Sequence, residues 1–137
     1  MRICADFYDD RYSFIPKRNT IIMSQKTKKV IKPWGMFEQF ILNKPCTVKI
    51  LTVKKNGETS LQKHSNREEF WRVVEGKGKV IVGSSKKTAS VGKEFFIKKG
   101  QLHQIIGSPH GVKVLEISFG KFDEKDIVRV KDKYNRK

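Results

Sequence analysis

Two of the three histidines in this 137-residue chain sit where a metal ion could use them. His64 lies in GETSLQKHSNREEFWRVVEG, residues 57–76, and His103 in GKEFFIKKGQLHQ, residues 92–104. Each is a strand-and-turn stretch bounded by glycine. Gln62 and His64 are two apart, so on a strand they project to the same face. The chain then turns at Ser65-Asn66 and returns as Glu68–Val74, which can bring Glu69 opposite His64. His103, from a later hairpin, can close a fourth side. A carboxylate, two imidazoles and an amide oxygen around one point suit zinc, iron, manganese, cobalt or nickel, with positions left open for substrate. Periodicity does not bring His103 to His64; only the fold can. His110, in Ser108-Pro109-His110-Gly111, reads as an exposed turn residue without a role.

The elements that must position these groups are strands. Strand-like runs occur at Met36–Leu42, Thr47–Val53, Phe70–Val74, Lys79–Val82, Glu94–Ile97, Leu102–Ile106 and Val112–Phe119. Between them stand Asn43-Lys44-Pro45, Asn56-Gly57, Glu75-Gly76-Lys77-Gly78, Gly83-Ser84-Ser85, Lys99-Gly100 and Gly107-Ser108-Pro109. Short strands at regular spacing predict an all-β sandwich or barrel. In Val112–Phe119, Val112, Val114, Glu116 and Ser118 face one way, and Lys113, Leu115, Ile117 and Phe119 the other. Glu116 is therefore either a buried polar partner or an inward-facing site residue. The tail, Asp123–Lys133, is expected to carry a short helical turn with Asp123 as its N-cap. Trp34 and Trp71 read as core residues. Residues 1–27 show no period and read as a loosely ordered extension, with Met23 a natural start for the folded part and 28–137 the single domain.

The formal net charge of +16 admits three readings: nonspecific nucleic-acid binding, attraction of a small anionic substrate, or a solvated lysine-rich face. The basic residues are mostly lysines in ones and twos. No basic helix, finger or RNP-like pattern organises them, so specific nucleic-acid binding is not expected. The solvated face leads and anionic-substrate attraction follows. Cys4 and Cys46 match no metal-finger spacing and read as reduced thiols, Cys46 as a small hydrophobe at the start of a strand. No apolar run approaches the roughly 18 residues of a membrane span, and no secretory signal opens the chain, so a cytoplasmic protein is expected.

Residues 57–76 and 92–103 resemble the paired motifs of the cupin superfamily. Gly57, His64, Glu69 and Gly76 fall in register with the first motif, and Gly92, Gly100 and His103 with the second. Lys63 stands at the usual first ligand position, so Gln62 would serve instead. KPWG (32–35), VKILTV (48–53), SLQKH (60–64), REEFW (67–71) and DIVRVKDKYNR (126–136) resemble the type II mannose-6-phosphate isomerases. That cupin also forms the C-terminal half of bifunctional enzymes with a mannose-1-phosphate guanylyltransferase domain. The likeness spans residues 30–136, and SLQKH followed by REEFW is its most specific part.

The resemblance implies a single jelly-roll cupin. It implies one divalent metal, zinc foremost, on Gln62, His64, Glu69 and His103. It further implies conversion of mannose 6-phosphate to fructose 6-phosphate through a cis-enediol, feeding mannose-nucleotide and polysaccharide synthesis. Glu116, Asp132, Lys63 and Arg129 are then the candidate catalytic groups. Arg136 and Arg129, followed by Arg67 and Ser60, are candidates for the phosphate. Small cupins often pair strands across a homodimer interface. No glycine-rich nucleotide-binding segment precedes Lys32, so the chain is not expected to make GDP-mannose. It departs from the family at Phe70, where a histidine is usual, at Lys98 (proline), Gly107 (asparagine) and Asn135 (glycine). A non-catalytic sugar-binding or regulatory cupin, a nucleic-acid-binding protein and a metal-free nucleotide-sugar epimerase are the competing readings.

Overall fold

The computed structural model describes residues 27–136, and all of its regular structure is strand. The reading of residues 1–26 as an extension, with a start at Met23, lies outside the described residues. β1 (Lys28–Lys32) and β2 (Gly35–Gln39) form a separate hairpin. The remaining strands form one connected sheet: β3 (Thr47–Val53), β4 (Leu61–Lys63), β5 (Arg67–Val82), β6 (Ser85–Ser90), β7 (Glu94–Ile97), β8 (His103–Gly120) and β9 (Val128–Lys131).

The expected pairs Phe70–Val74 with Lys79–Val82, and Leu102–Ile106 with Val112–Phe119, are each one long bent strand. Their intervening glycine segments are bulges rather than breaks. β5 and β8 pair antiparallel from Arg67↔Gly120 to Val82↔His103, with register shifts between Val73 and Glu75 and between Gly76 and Gly78. Gly76 shows why glycine is required at the bend. Its φ is +77°, and a Cβ there would meet the Gly111 carbonyl oxygen at 2.3 Å. The bend lets one strand pair serve two walls. The first half of β5 pairs with β7, and the second half with β6.

Inward alternation fills the interior. Val53, Trp71, Val73, Val80, Ala89, Phe95, Ile97, Ile105, Val112 and Val114 form one buried cluster. On β8 the expected inward set Val112, Val114, Glu116 and Ser118 is buried.

Three expectations give way. The 123–133 tail carries no helix. Asp123 does cap locally, its carboxylate accepting from Lys125 N at 2.9 Å. The chain then turns and Val128–Lys131 pairs with β4 as β9, because an alternating apolar segment beside an open strand edge gains more from ladder bonds than from one isolated helical turn. Trp34 is not core: it stands at the tip of the first hairpin, 72% exposed. Cys46 precedes β3 as an exposed thiol.

Candidate metal centre

Strand register assembles the site from two walls. Val82↔His103, Gln62↔His103 and Gln62↔Arg129 are direct cross-strand partners, so His103, Gln62 and Arg129 form one row with their side chains on one face. Two further rows cross β5 and β8: Thr47, Ser118, Glu69 and Ile97, then Lys49, Glu116, Trp71 and Phe95. His64 hangs from the loop after β4. That loop is pinned where the Asp126 carboxylate accepts from Ser65 N and Asn66 N, both at 2.9 Å. Burial opposes the charge of Asp126, but these two bonds and Arg67 outweigh it and hold its carboxyl below the usual range.

His64, Glu69 and His103 converge, at 3%, 1% and 1% exposure. His64 Nε2 lies 3.2 Å from His103 Nε2 and 3.3 Å from Glu69 Oε1, and His103 Nε2 lies 3.6 Å from Glu69 Oε2. The opposite ring nitrogens are committed. His64 Nδ1 donates to the Asp126 carbonyl at 2.6 Å, and His103 Nδ1 to the Gln101 carbonyl at 2.8 Å. Burial lowers the pKa of both imidazoles despite the opposing pull of Glu69, so both are neutral. A neutral ring that donates from Nδ1 presents only a lone pair at Nε2. Two lone pairs and a carboxylate therefore point at one another within a buried space, an arrangement a cation resolves. Donors sharing one ion at about 2.1 Å sit roughly 3 to 3.5 Å apart, close to the 3.2 to 3.6 Å here. The backbone carbonyls behind each ring fix tautomer and orientation, as they do behind metal-bound histidines. The donor set fits a divalent metal.

Gln62 is in place but turned. Its Oε1 accepts from Ser60 Oγ at 2.6 Å, and its Nε2 lies 3.4 Å from His64 Nε2. A 180° rotation of the amide would aim the oxygen inward, and the Ser60 hydroxyl can accept as well as donate. Ser60, expected at the phosphate, is buried and braces Gln62. Arg67, expected there too, is 6% exposed, and its guanidinium is committed to Glu69 Oε1 at 2.9 Å and to the Asp123 and Asp126 carbonyls.

Glu116 is buried on the site-facing side of β8. Trp71 Nε1 bridges the two acids, lying 3.1 Å from Glu69 Oε2 and 3.3 Å from Glu116 Oε2. Trp71 is thus core, as expected, and a polar partner too. Burial, then the negative charge of Glu69, raises the Glu116 pKa to about 7. Asp132 differs: bonded to the Arg136 side chain and backbone, its carboxyl is held down at about 2, a poor proton acceptor near neutrality. Arg136 is correspondingly tied to Asp132, and Lys63 alternates away from Gln62 and is exposed. Phe70, whose neighbours on β5 face the site, points to the other side of the sheet. It packs there with Phe40 and Phe96 at centroid distances of 5.8 and 5.1 Å. His110 is exposed, as expected.

Sequence reasoning missed Lys49 and Phe122. Lys49 is the cross-strand partner of Glu116, binds Glu124 at 2.8 Å and stands 4.0 Å from the centre of the Phe122 ring, with the Arg67 guanidinium 4.6 Å from that centre. A lysine at an inward position of the alternating β3 was the available signal.

A bent antiparallel barrel with a buried His-Glu-His set on its inner walls defines the cupin class. A cupin barrel protein from Rhodopseudomonas palustris shares the fold at TM-score 0.53 and 19% identity, over 64% of this chain and 61% of that one. The chain belongs to the family described as Mannose-6-phosphate isomerase C-terminal, whose profile matches residues 19–132. It is 32% identical over 123 residues to a mannose-1-phosphate guanylyltransferase of Escherichia coli, covering 88% of this chain and 26% of the relative. It is also 32% identical over 111 residues to the xanthan biosynthesis protein XanB of Xanthomonas campestris, covering 80% and 24%. The chain thus spans about a quarter of the length of these relatives. The family match begins within the stretch read from sequence as an extension.

Proposed function

We propose that the protein is a metal-dependent aldose–ketose isomerase that interconverts mannose 6-phosphate and fructose 6-phosphate in the cytoplasm. The observation that carries this reading is the convergence of two neutral imidazole Nε2 atoms and the Glu69 carboxylate, in a chain of this family. Gln62, His64, Glu69 and His103 would hold the ion, zinc by preference for the two imidazoles and one carboxylate. Bound there, a divalent ion supplies positive charge opposite the charge that grows on the substrate oxygens as the enediol forms.

The chain's own groups account for the rest. Glu116, with its pKa near neutrality, can take the C2 proton of the open-chain aldose and return it at C1, while the O2 hydroxyl proton passes to O1. Trp71 holds Glu116 at a fixed place beside Glu69. Arg129, in register with Gln62 on the site-facing row, supplies a cation for the phosphate, with Lys49 at the other wall. One observation favours the competing reading of a non-catalytic sugar-binding cupin: Arg67 already fills part of the donor set with a cation of the protein's own.

A coupled assay for fructose 6-phosphate formed from mannose 6-phosphate, on zinc-loaded and chelator-treated protein, decides between them. Turnover that needs metal and vanishes in His64→Ala supports the isomerase. Folded protein that binds zinc but turns over no sugar phosphate would replace it with the binding module.

A further inference from the structure

Arg67 is a charged group of the site to which the isomerase reading gives no task. Its side chain is buried and makes contacts in every direction. Nε donates to Glu69 Oε1 at 2.9 Å, Nη2 lies 3.0 Å from His64 Nε2, and Nη1 reaches the Asp123 and Asp126 carbonyls at 3.1 and 3.3 Å. The plane of the guanidinium rests near Phe122.

The contact to His64 is the informative one. A guanidinium nitrogen always carries hydrogen and only donates, so His64 Nε2 must be the acceptor. The other ring nitrogen is spent on the Asp126 carbonyl. An imidazole Nε2 has a single lone pair, which can accept the Arg67 proton or bind a metal, but not both. Glu69 Oε1 is shared in the same way, although a carboxylate oxygen has a second lone pair to offer. A fallback for the guanidinium is at hand: the Asp126 carboxylate lies 4.0 Å from Nη1, on the segment that also carries the backbone acceptors of Arg67 and His64.

We infer that Arg67 is a built-in counter-cation of the metal-free site, which holds His64 and Glu69 in place and must release His64 when a metal binds. The site then exchanges one cation for another. The interior carboxylate keeps a partner in both states, so the metal-free protein stays folded. Because Arg67 also bonds the Asp123 and Asp126 carbonyls, its release couples metal occupancy to the segment leading into β9 and Arg129. This inference rests on the metal-site reading above, and its test separates the two.

Zinc affinity is measured by competition with a chromophoric chelator, and melting temperature with and without zinc, for the wild type, Arg67→Met and Arg67→Lys. Arg67→Met fills similar space without charge or donors. It is expected to bind zinc about tenfold or more tightly, since it removes a charged hydrogen bond that the metal must break. Its metal-free melting temperature should fall while its zinc-loaded one stays near the wild type, and Arg67→Lys should lie between. A zinc affinity weakened tenfold, with the loaded form destabilised as much as the metal-free form, would overturn the inference and make Arg67 a support of Glu69 in the loaded site.

A measurement on unaltered protein covers the case in which Arg67→Met fails to fold. In 15N-labelled wild type, the Arg67 side-chain N–H resonances should be protected without metal and shift as zinc is added. Resonances unmoved by saturating zinc overturn the exchange. Wild type that binds no zinc overturns the metal reading itself, and the inference with it.

Discussion

Glu116 would take up its proton in the fold at about pH 7, against 4.5 in an unfolded chain. Between those values folding binds a proton, so its contribution to stability is fully present below pH 4.5 and is lost as the pH rises through 7. Glu116→Gln should therefore stabilise the metal-free protein at pH 8 by about 1–3 kcal/mol and change it little at pH 5, read from urea midpoints at both values. The same variant should lose isomerase turnover about a hundredfold or more if Glu116 carries the proton. Retained turnover would send the search for the base elsewhere, although not to Asp132, whose carboxyl is locked by Arg136. At this scale a buried acid is read correctly only with its neighbours: Trp71, Glu69 and Lys49 set its proton affinity, and none adjoins it in sequence.

At the scale of elements, the bend shared by β5 and β8 does the positioning. Two glycines contrast usefully. Gly100 has φ +72° with open space around its missing Cβ, whereas Gly76 has φ +77° and a backbone oxygen 2.3 Å from it. Gly100→Ala should cost about 1 kcal/mol for the left-handed backbone alone. Gly76→Ala should cost about 3 kcal/mol or more, because strain and clash add. Equal midpoints in urea for the two variants would show that the bend relaxes easily. The β1–β2 hairpin makes the opposite point. Among the described residues it pairs with no other strand, and Ile31, Trp34, Met36 and Phe37 are exposed on it. A bare two-stranded hairpin is marginal alone, and the homodimer expected from the resemblance would give it cover. Among the described residues β3, with Val48 and Ile50 exposed, pairs only with β8, and its other edge is where a partner's hairpin would add. Sedimentation velocity should then show a dimer that Trp34→Lys splits into monomers, while a monomeric wild type would remove the dimer.

Across the whole molecule the net charge of +16 acts at long range. A sugar phosphate approaching this surface is accelerated by attraction that salt screens. Under the isomerase reading proposed above, raising NaCl from about 0.05 to 0.5 M should lower kcat/KM for mannose 6-phosphate several-fold and leave kcat nearly unchanged. Random DNA should bind weakly at physiological salt, since the sequence carries no basic helix, finger or RNP-like pattern.

The sequence by itself determined the strand-rich class and singled out His64, Glu69 and His103, the three residues that the fold brings together. Strand alternation is local, and the cupin-like spacing of Gly57, His64, Glu69, Gly76, Gly100 and His103 is written along the chain. Alternation also foretold that Glu116 faces inward. Local signals failed where neighbours remote in sequence decide. Glycine pairs at 75–78 and 107–111 read as breaks because a bulge and a turn use the same residues, and only the partner strand tells them apart. The tail after Asp123 read as helical because the open edge of β4 was invisible. Trp34 read as core because its bulk says nothing of where a hairpin tip ends. Tertiary structure alone laid the Asp123 and Asp126 carbonyls over Arg67, expected at a phosphate, and so buried it against Glu69 and His64. Burial makes a charge seek the nearest opposite charge or lone pair, and what is nearest is settled only when the strands have packed.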